Sequence, residues 1–235
     1  MKRTIFTVIS LLTGMAIMAN AAPNLMVNGS FDHPEDPLKY WTIDYLPGNN
    51  QNYVNNIKHV RLMPMYGGKS NVLKVDVNED KTGQDGAASW LGGTLVESPF
   101  IPFEQGCRYR FTLSIRGTKS GYHMYVSGCQ WKPGVKPYEN PNFFDLRARY
   151  RGPWFPDTIR KDTWTKTTCE FPDKKLSSLA IKNLKDVKLI ALHIIQIGSP
   201  NCHFAELYID DLVVEKLADG YTGGKVTADE KRIGE

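Results

Sequence analysis

Cys107-Arg-Tyr-Arg-Phe-Thr-Leu-Ser-Ile-Arg116 carries the plainest structural signal in this chain. Tyr109, Phe111, Leu113 and Ile115 fall on one side of an extended backbone; Arg108, Arg110, Thr112, Ser114 and Arg116 fall on the other. Successive side chains of a strand point to opposite faces, so this alternation predicts a half-buried antiparallel strand. Outward from it the habit persists. Residues 41–46, 57–62, 70–77 and 87–97 read as strands, divided by loop-forming stretches such as 47–52 and 78–86. Residues 187–197 are apolar on both phases, as in a central strand covered on both faces. In residues 206–215 the phase slips. Leu207 and Ile209 share one parity and Leu212 and Val214 the other, which predicts a β-bulge at Asp210-Asp211. The best helical stretch, 174–186, is short. Many evenly spaced strands and no long helix predict an all-β, two-sheet antiparallel β-sandwich.

Lys2 and Arg3 precede an uncharged run over 4–19, and Ala19-Asn20-Ala21 offers a small-x-small cleavage pattern. Residues 1–21 therefore read as a signal peptide, and the protein as secreted or periplasmic. No second hydrophobic span follows, so the exported protein is not expected to span a membrane. The formal charge of the whole chain is +4; without residues 1–21, 27 Lys and Arg stand against 25 Asp and Glu. That balance demands no acidic partner and argues against nucleic acid. One domain over 22–217 suits the length, with a polar tail over 218–235 expected to be loosely held.

Four cysteines follow the signal: Cys107, Cys129, Cys169 and Cys202. In an oxidising compartment they suit two disulfides. A hairpin of 107–116 and 121–131, turning near Thr118-Lys119, would set Cys107 opposite Cys129 and leave Cys169 for Cys202. Four reduced, buried thiols are the alternative.

From Trp131 to Phe155, 7 of 25 residues are aromatic against 26 of 235 in the chain, and five prolines lie between 133 and 156. Sugars present flat C–H faces ringed by hydroxyls; aromatic rings stack on the former and Arg, Asn or Asp satisfy the latter. Prolines stiffen such a platform. Trp131, Tyr150, Trp154 and Arg149 are the candidate ligand contacts. A stretch of this length must also pack on its sandwich, so about half of these rings are expected in the core. Catalysis finds little support: there is no nucleophile elbow, no His-Glu-x-x-His and no Walker loop. His193, inside the apolar run, reads as a hydrogen-bonded core histidine.

Four short motifs, in order, resemble one family. Asn24-Leu-Met-Val-Asn-Gly-Ser-Phe-Asp32 reads as a strand with Leu25 and Val27 inward, a turn at Asn28-Gly29 with Gly29 at positive φ, and Phe31 in the core. Residues 102–114, 162–171 (with Trp164) and Glu206-Leu-Tyr-Ile-Asp-Asp-Leu-Val-Val-Glu215 supply the other three. Together they resemble the carbohydrate-binding modules of the cellulose- and xylan-binding group. The resemblance implies a jelly roll of the galactose-binding-like type, with residues 131–163 as an insertion and Trp41 and Trp164 inside. It also implies a structural calcium where the first and last strands meet, held by Asp32 and Asp210 with backbone carbonyls near Asn28. The plainer alternative is that Asp32 caps a turn and Asp210-Asp211 mark the bulge. The function implied is non-catalytic recognition of a poly- or oligosaccharide. Two further classes remain in view: a sandwich that docks a protein at the cell surface, and a glycan-active enzyme, which needs two carboxylates about 5–10 Å apart in one cleft.

Overall fold

The computed structural model describes residues 23–44, 60–64, 71–76, 94–118, 121–141, 143–158, 162–197 and 206–223. The expected signal peptide and Cys202 lie outside these residues. Two antiparallel sheets form the body. One contains β1 (Thr42–Asp44), β4 (Thr94–Glu97), β11 (Leu189–Ile197), β7 (Gly121–Trp131) and β8 (Leu146–Thr158), in that order, with β5 (Ile101–Pro102) also pairing β11. The other runs β2 (Val60–Pro64), β3 (Asn71–Asp76), β12 (Glu206–Gly220), β6 (Cys107–Thr118), β9 (Thr165–Phe171). We call them the six-stranded and five-stranded sheets. A short parallel pair, β10 (Lys175–Leu176) and β13 (Thr222–Gly223), and helix α1 (Ser178–Leu184) complete the described structure.

The core is the space between the sheets, filled by the alternation read in the sequence. Tyr109, Phe111, Leu113 and Ile115 of β6 meet Ile190, Leu192 and Ile194 of β11 and Tyr122, Met124 and Val126 of β7 in one cluster. β11 is central, paired by β4 and β5 on one side and by β7 on the other, and its opposite phase (Ala191, His193, Ile195) is buried too. The phase slip in β12 is a bulge between Asp210 and Val213, where Asp211 takes φ +51°. Leu207, Ile209, Leu212 and Val214 all reach the core because of it. The helical stretch is real but brief: the Ser177 hydroxyl caps α1 by accepting from the Ala180 N–H.

Four expectations change. β6 and β7 follow one another in sequence but lie in different sheets, so they form no hairpin. Cys107 therefore sits beside Gly220 and Cys129 between Leu189 and Ala148, and Cys107, Cys129 and Cys169 are free thiols. The opening stretch is no strand: Leu25 and Val27 are exposed and Met26 is buried instead. Phe31 does reach the core, but Asn28 and Phe31 take positive φ (+54° and +57°). Gly29 is required for another reason, since a Cβ there would lie 2.0 Å from the Leu212 carbonyl oxygen. The aromatic stretch is partly a strand, β8, the edge of the six-stranded sheet, where Pro153 and Pro156 cost little because an edge leaves N–H groups unpaired. Residues 218–220 and 222–223, expected in the loose tail, belong to β12 and β13.

Candidate functional site

At one end of the six-stranded sheet an open cleft of about 290 Å³ lies among Tyr40, Thr42, Phe100, Tyr138 and Asn140, with the buried Trp41 behind it. Three connections build it. The first is the run into β1. The Asn28 side-chain amide donates to the carbonyls of Pro37 (2.8 Å) and Lys39 (3.1 Å), and its oxygen accepts from His33 N–H (3.1 Å). The Asn28 carbonyl accepts from the Trp41 indole (2.9 Å), whose ring packs 4.6 Å from Phe31. This scaffold holds Tyr40 at φ +74°, a conformation costing a non-glycine residue about 1–3 kcal/mol. Lys39 sits 5.5 Å above the Tyr40 ring and His33 meets that ring edge-on.

The second connection, between β4 and β5, carries Phe100. Ser98 fastens it: its N–H donates to the Leu192 carbonyl and its hydroxyl accepts from the Leu192 N–H, both at 2.9 Å. The third, between β7 and β8, carries Tyr138 and Asn140. Lys132 N–H donates to the Asp145 carbonyl (2.9 Å), the Lys132 ammonium to the Phe144 carbonyl, and the Tyr138 hydroxyl to the Asp145 carboxylate. Tyr138, 44% exposed, leans on the half-buried Trp131 with ring centroids 5.1 Å apart.

The sequence-predicted contacts divide. Trp131 backs a cleft ring. Tyr150 turns inward: its ring packs 5.6 Å from Phe171 between the sheets, and burial pushes its phenol up to about 12. Arg149 is half-buried, with its guanidinium tied to Asp186. Trp154 lies on β8, but its side chain falls outside the described residues. Tyr40, Phe100 and Asn140 were missed, because they come from three separate connections. The Tyr40 position could have been suspected only from its neighbours in the opening motif.

Beside the cleft, the outer face of the six-stranded sheet bears a row crossing four strands. Arg151 of β8 lies over the Tyr125 ring of β7 (5.8 Å), Tyr125 stacks on His193 of β11, and His193 Nε2 lies 3.3 Å from a Glu97 oxygen of β4. The Glu97 contact favours an imidazolium, but burial, joined by the Arg151 charge, holds His193 down to about 3, so the ring is neutral at neutral pH. Glu97, Tyr125 and His193 are all buried.

The expected cation ligands come together on the five-stranded sheet's side. Asp210, 2% exposed, has its carboxyl pushed up to about 6, first by burial and further by the charges of Asp211 and Asp32, against the lowering effect of the Asp211 N–H. Asp32 accepts from Asn71 N–H (3.0 Å). A carboxyl raised mainly by burial, with two further carboxylates close by, fits a cation. The nearby carbonyls of Gly29 and Phe31 each accept one hydrogen bond, from Leu212 N–H and the Asn71 amide, and keep a second lone pair. Among the described residues no group of three or more His, Cys, Asp or Glu side chains is gathered for a metal, so such a shell would draw on those carbonyls and water.

No family profile and no curated protein matches the chain. Solved structures do, and carbohydrate-binding modules recur among them. TmCBM61 in complex with beta-1,4-galactotriose has a TM-score of 0.46 at 12% identity, over 83% of this chain and 100% of that one. The Family 16 Carbohydrate Binding Module-2 has 0.43 at 12%, over 81% and 99%. The CBM22-1 xylan-binding domain from Paenibacillus barcinonensis Xyn10C has 0.43 at 10%, over 84% and 97%. At these values none of them names a ligand for this chain.

Proposed function

We propose that this protein is a non-catalytic carbohydrate-binding protein that seats a saccharide in the cleft of Tyr40, Phe100 and Tyr138. The observation that carries the reading is that cleft: aromatic residues from three connections around one open space, with Thr42 and Asn140 in the same lining. Rings stack on the C–H faces of a sugar, and hydroxyl and amide groups meet its hydroxyls. The lining offers groups that hold a sugar; hydrolysis would need two carboxylates facing one another there. The Lys2-Arg3 start, the uncharged run and Ala19-Asn20-Ala21 support a site of action outside the cytoplasm. A calcium ion at Asp32 and Asp210 is proposed as a staple between the opening turn and β12, with no part in binding chemistry.

The test is a glycan array probed with the purified protein and with Tyr138→Ala. Tyr138 is exposed, so its removal should leave the fold intact. A hit lost in the variant supports the reading. A blank array for the parent protein, or hits unchanged by the substitution, would sink it.

A further inference from the structure

We infer that the cleft holds one or two rings of a neutral saccharide, and that Asn28 is the positioning residue that presents Tyr40 to it. The inference rests on the glycan reading above. About 290 Å³ lies at the small end of ligand pockets, which span roughly 300–1,000 Å³, and suits one or two sugar rings at a time. The lining side chains are tyrosine, tryptophan, threonine, phenylalanine, asparagine and proline. Among the described lining residues none is an acidic or basic residue, and the ammonium over the Tyr40 ring, that of Lys39, is paired with Glu35 at 3.2 Å, so a uronate, sulfate or phosphate would lose its hydration without a free counter-charge. The neighbouring arginines are engaged elsewhere: Arg149 on Asp186 and Arg151 over the Tyr125 ring. The ligand class therefore follows the lining and not the arginine-rich composition of β8.

Asn28 enters through geometry. Its amide holds two carbonyls of the loop on either side of Leu38, its side-chain oxygen holds His33, and its carbonyl holds the Trp41 indole. Tyr40 stands between two of those anchors, at a positive φ that free peptide rarely visits. An amide that fixes the loop before the ligand arrives removes the ordering cost from binding.

Calorimetric titration with xylose-, glucose-, galactose- and mannose-based oligosaccharides of one to six rings, and with oligogalacturonates, tests the ligand class. In the series that binds, affinity should rise from one ring to two and then stay level within about twofold, with oligogalacturonates at least tenfold weaker. Affinity that keeps climbing to five or six rings, or a preference for galacturonate, overturns this inference and leaves the glycan reading standing. Failure of every series to bind overturns both.

The positioning role is read in a double-mutant cycle. Asn28→Asp keeps the acceptor for His33 and loses the donor to Pro37 and Lys39; Tyr40→Ala leaves the anchors in place. Each should weaken binding about tenfold, and the double variant no more than either alone. Additive losses, or an Asn28→Asp protein of lower Tm whose folded fraction binds normally, would leave Asn28 a structural residue only.

Discussion

The rings of Tyr125 and His193 lie 4.6 Å apart and 4° from parallel, on the outer face of the six-stranded sheet. Because burial holds His193 down to about 3 while its unfolded value is near 6.5, the unfolded chain binds the extra proton between those pH values. The stability this neutral ring contributes is complete above pH 6.5 and falls as pH drops toward 3. At pH 5 the loss is about 2 kcal/mol relative to pH 7. Urea unfolding at pH 7 and pH 5 should show that loss in the parent protein and a flatter profile in His193→Gln. Equal pH dependence in both would remove the assignment.

Gly29 and Leu212 meet backbone to backbone: Leu212 N–H donates to the Gly29 carbonyl at 2.9 Å, with no room for a Cβ beside it. Gly29→Ala must push the opening turn off β12, at a cost of about 2–4 kcal/mol. Thermal unfolding measures it. A change below about 0.5 kcal/mol would mean the turn packs differently.

Arg108, on the outer face of the five-stranded sheet, is almost fully buried while it pairs with Glu170 and Asp219 and donates to the Pro172 carbonyl. Its neighbour Arg110 shares Glu170 but is 42% exposed. Removing the buried partner should cost about 3 kcal/mol in Arg108→Met, whereas Arg110→Met should cost under about 1. Denaturant midpoints of the two variants compare them directly, and equal losses would contradict the difference in burial.

Asp210 gives a sign reversal. With its carboxyl raised to about 6, ionisation above that pH opposes folding unless a cation compensates. In EDTA at pH 7, Asp210→Asn should be more stable than the parent by about 2 kcal/mol. In millimolar calcium the order should invert. Tm values that ignore calcium would remove the proposed staple.

The thiols separate by burial. Cys129 and Cys169 are buried and pushed up to about 12, while Cys107 is only half-buried, next to Glu104 and Lys216. Among these three, Cys107 alone should react with an aromatic disulfide reagent in the native protein, with the other two released by denaturant. A mass 2 Da low, restored by reductant and mapped to Cys107 and Cys129, would contradict the separation of β6 from β7.

The fold was legible where a strand has two unlike faces. β6 and the bulge of β12 follow from parity alone, because a one-residue slip moves every later side chain to the other face. Which sheet a strand joins is a different question. β6 and β7 are adjacent in sequence and carry good alternation, yet nothing in either says that the chain crosses between sheets after Thr118. The Cys107–Cys129 pairing failed with that hairpin. Composition pointed to a stretch whose Trp131 supports the Tyr138 ring of the candidate cleft, but could not sort rings by direction, and Tyr150 turns into the core. Tyr40, Phe100 and Asn140 meet only through the fold, from three connections far apart in sequence.

The most direct measurement is a crystal structure of the protein soaked with the saccharide that binds best on the array. A sugar ring lying against Tyr138 or Phe100, within hydrogen-bonding reach of Asn140 or Thr42, is the predicted result. A saccharide ordered on the five-stranded sheet, or anywhere that leaves Tyr40, Phe100 and Tyr138 untouched, would contradict the account.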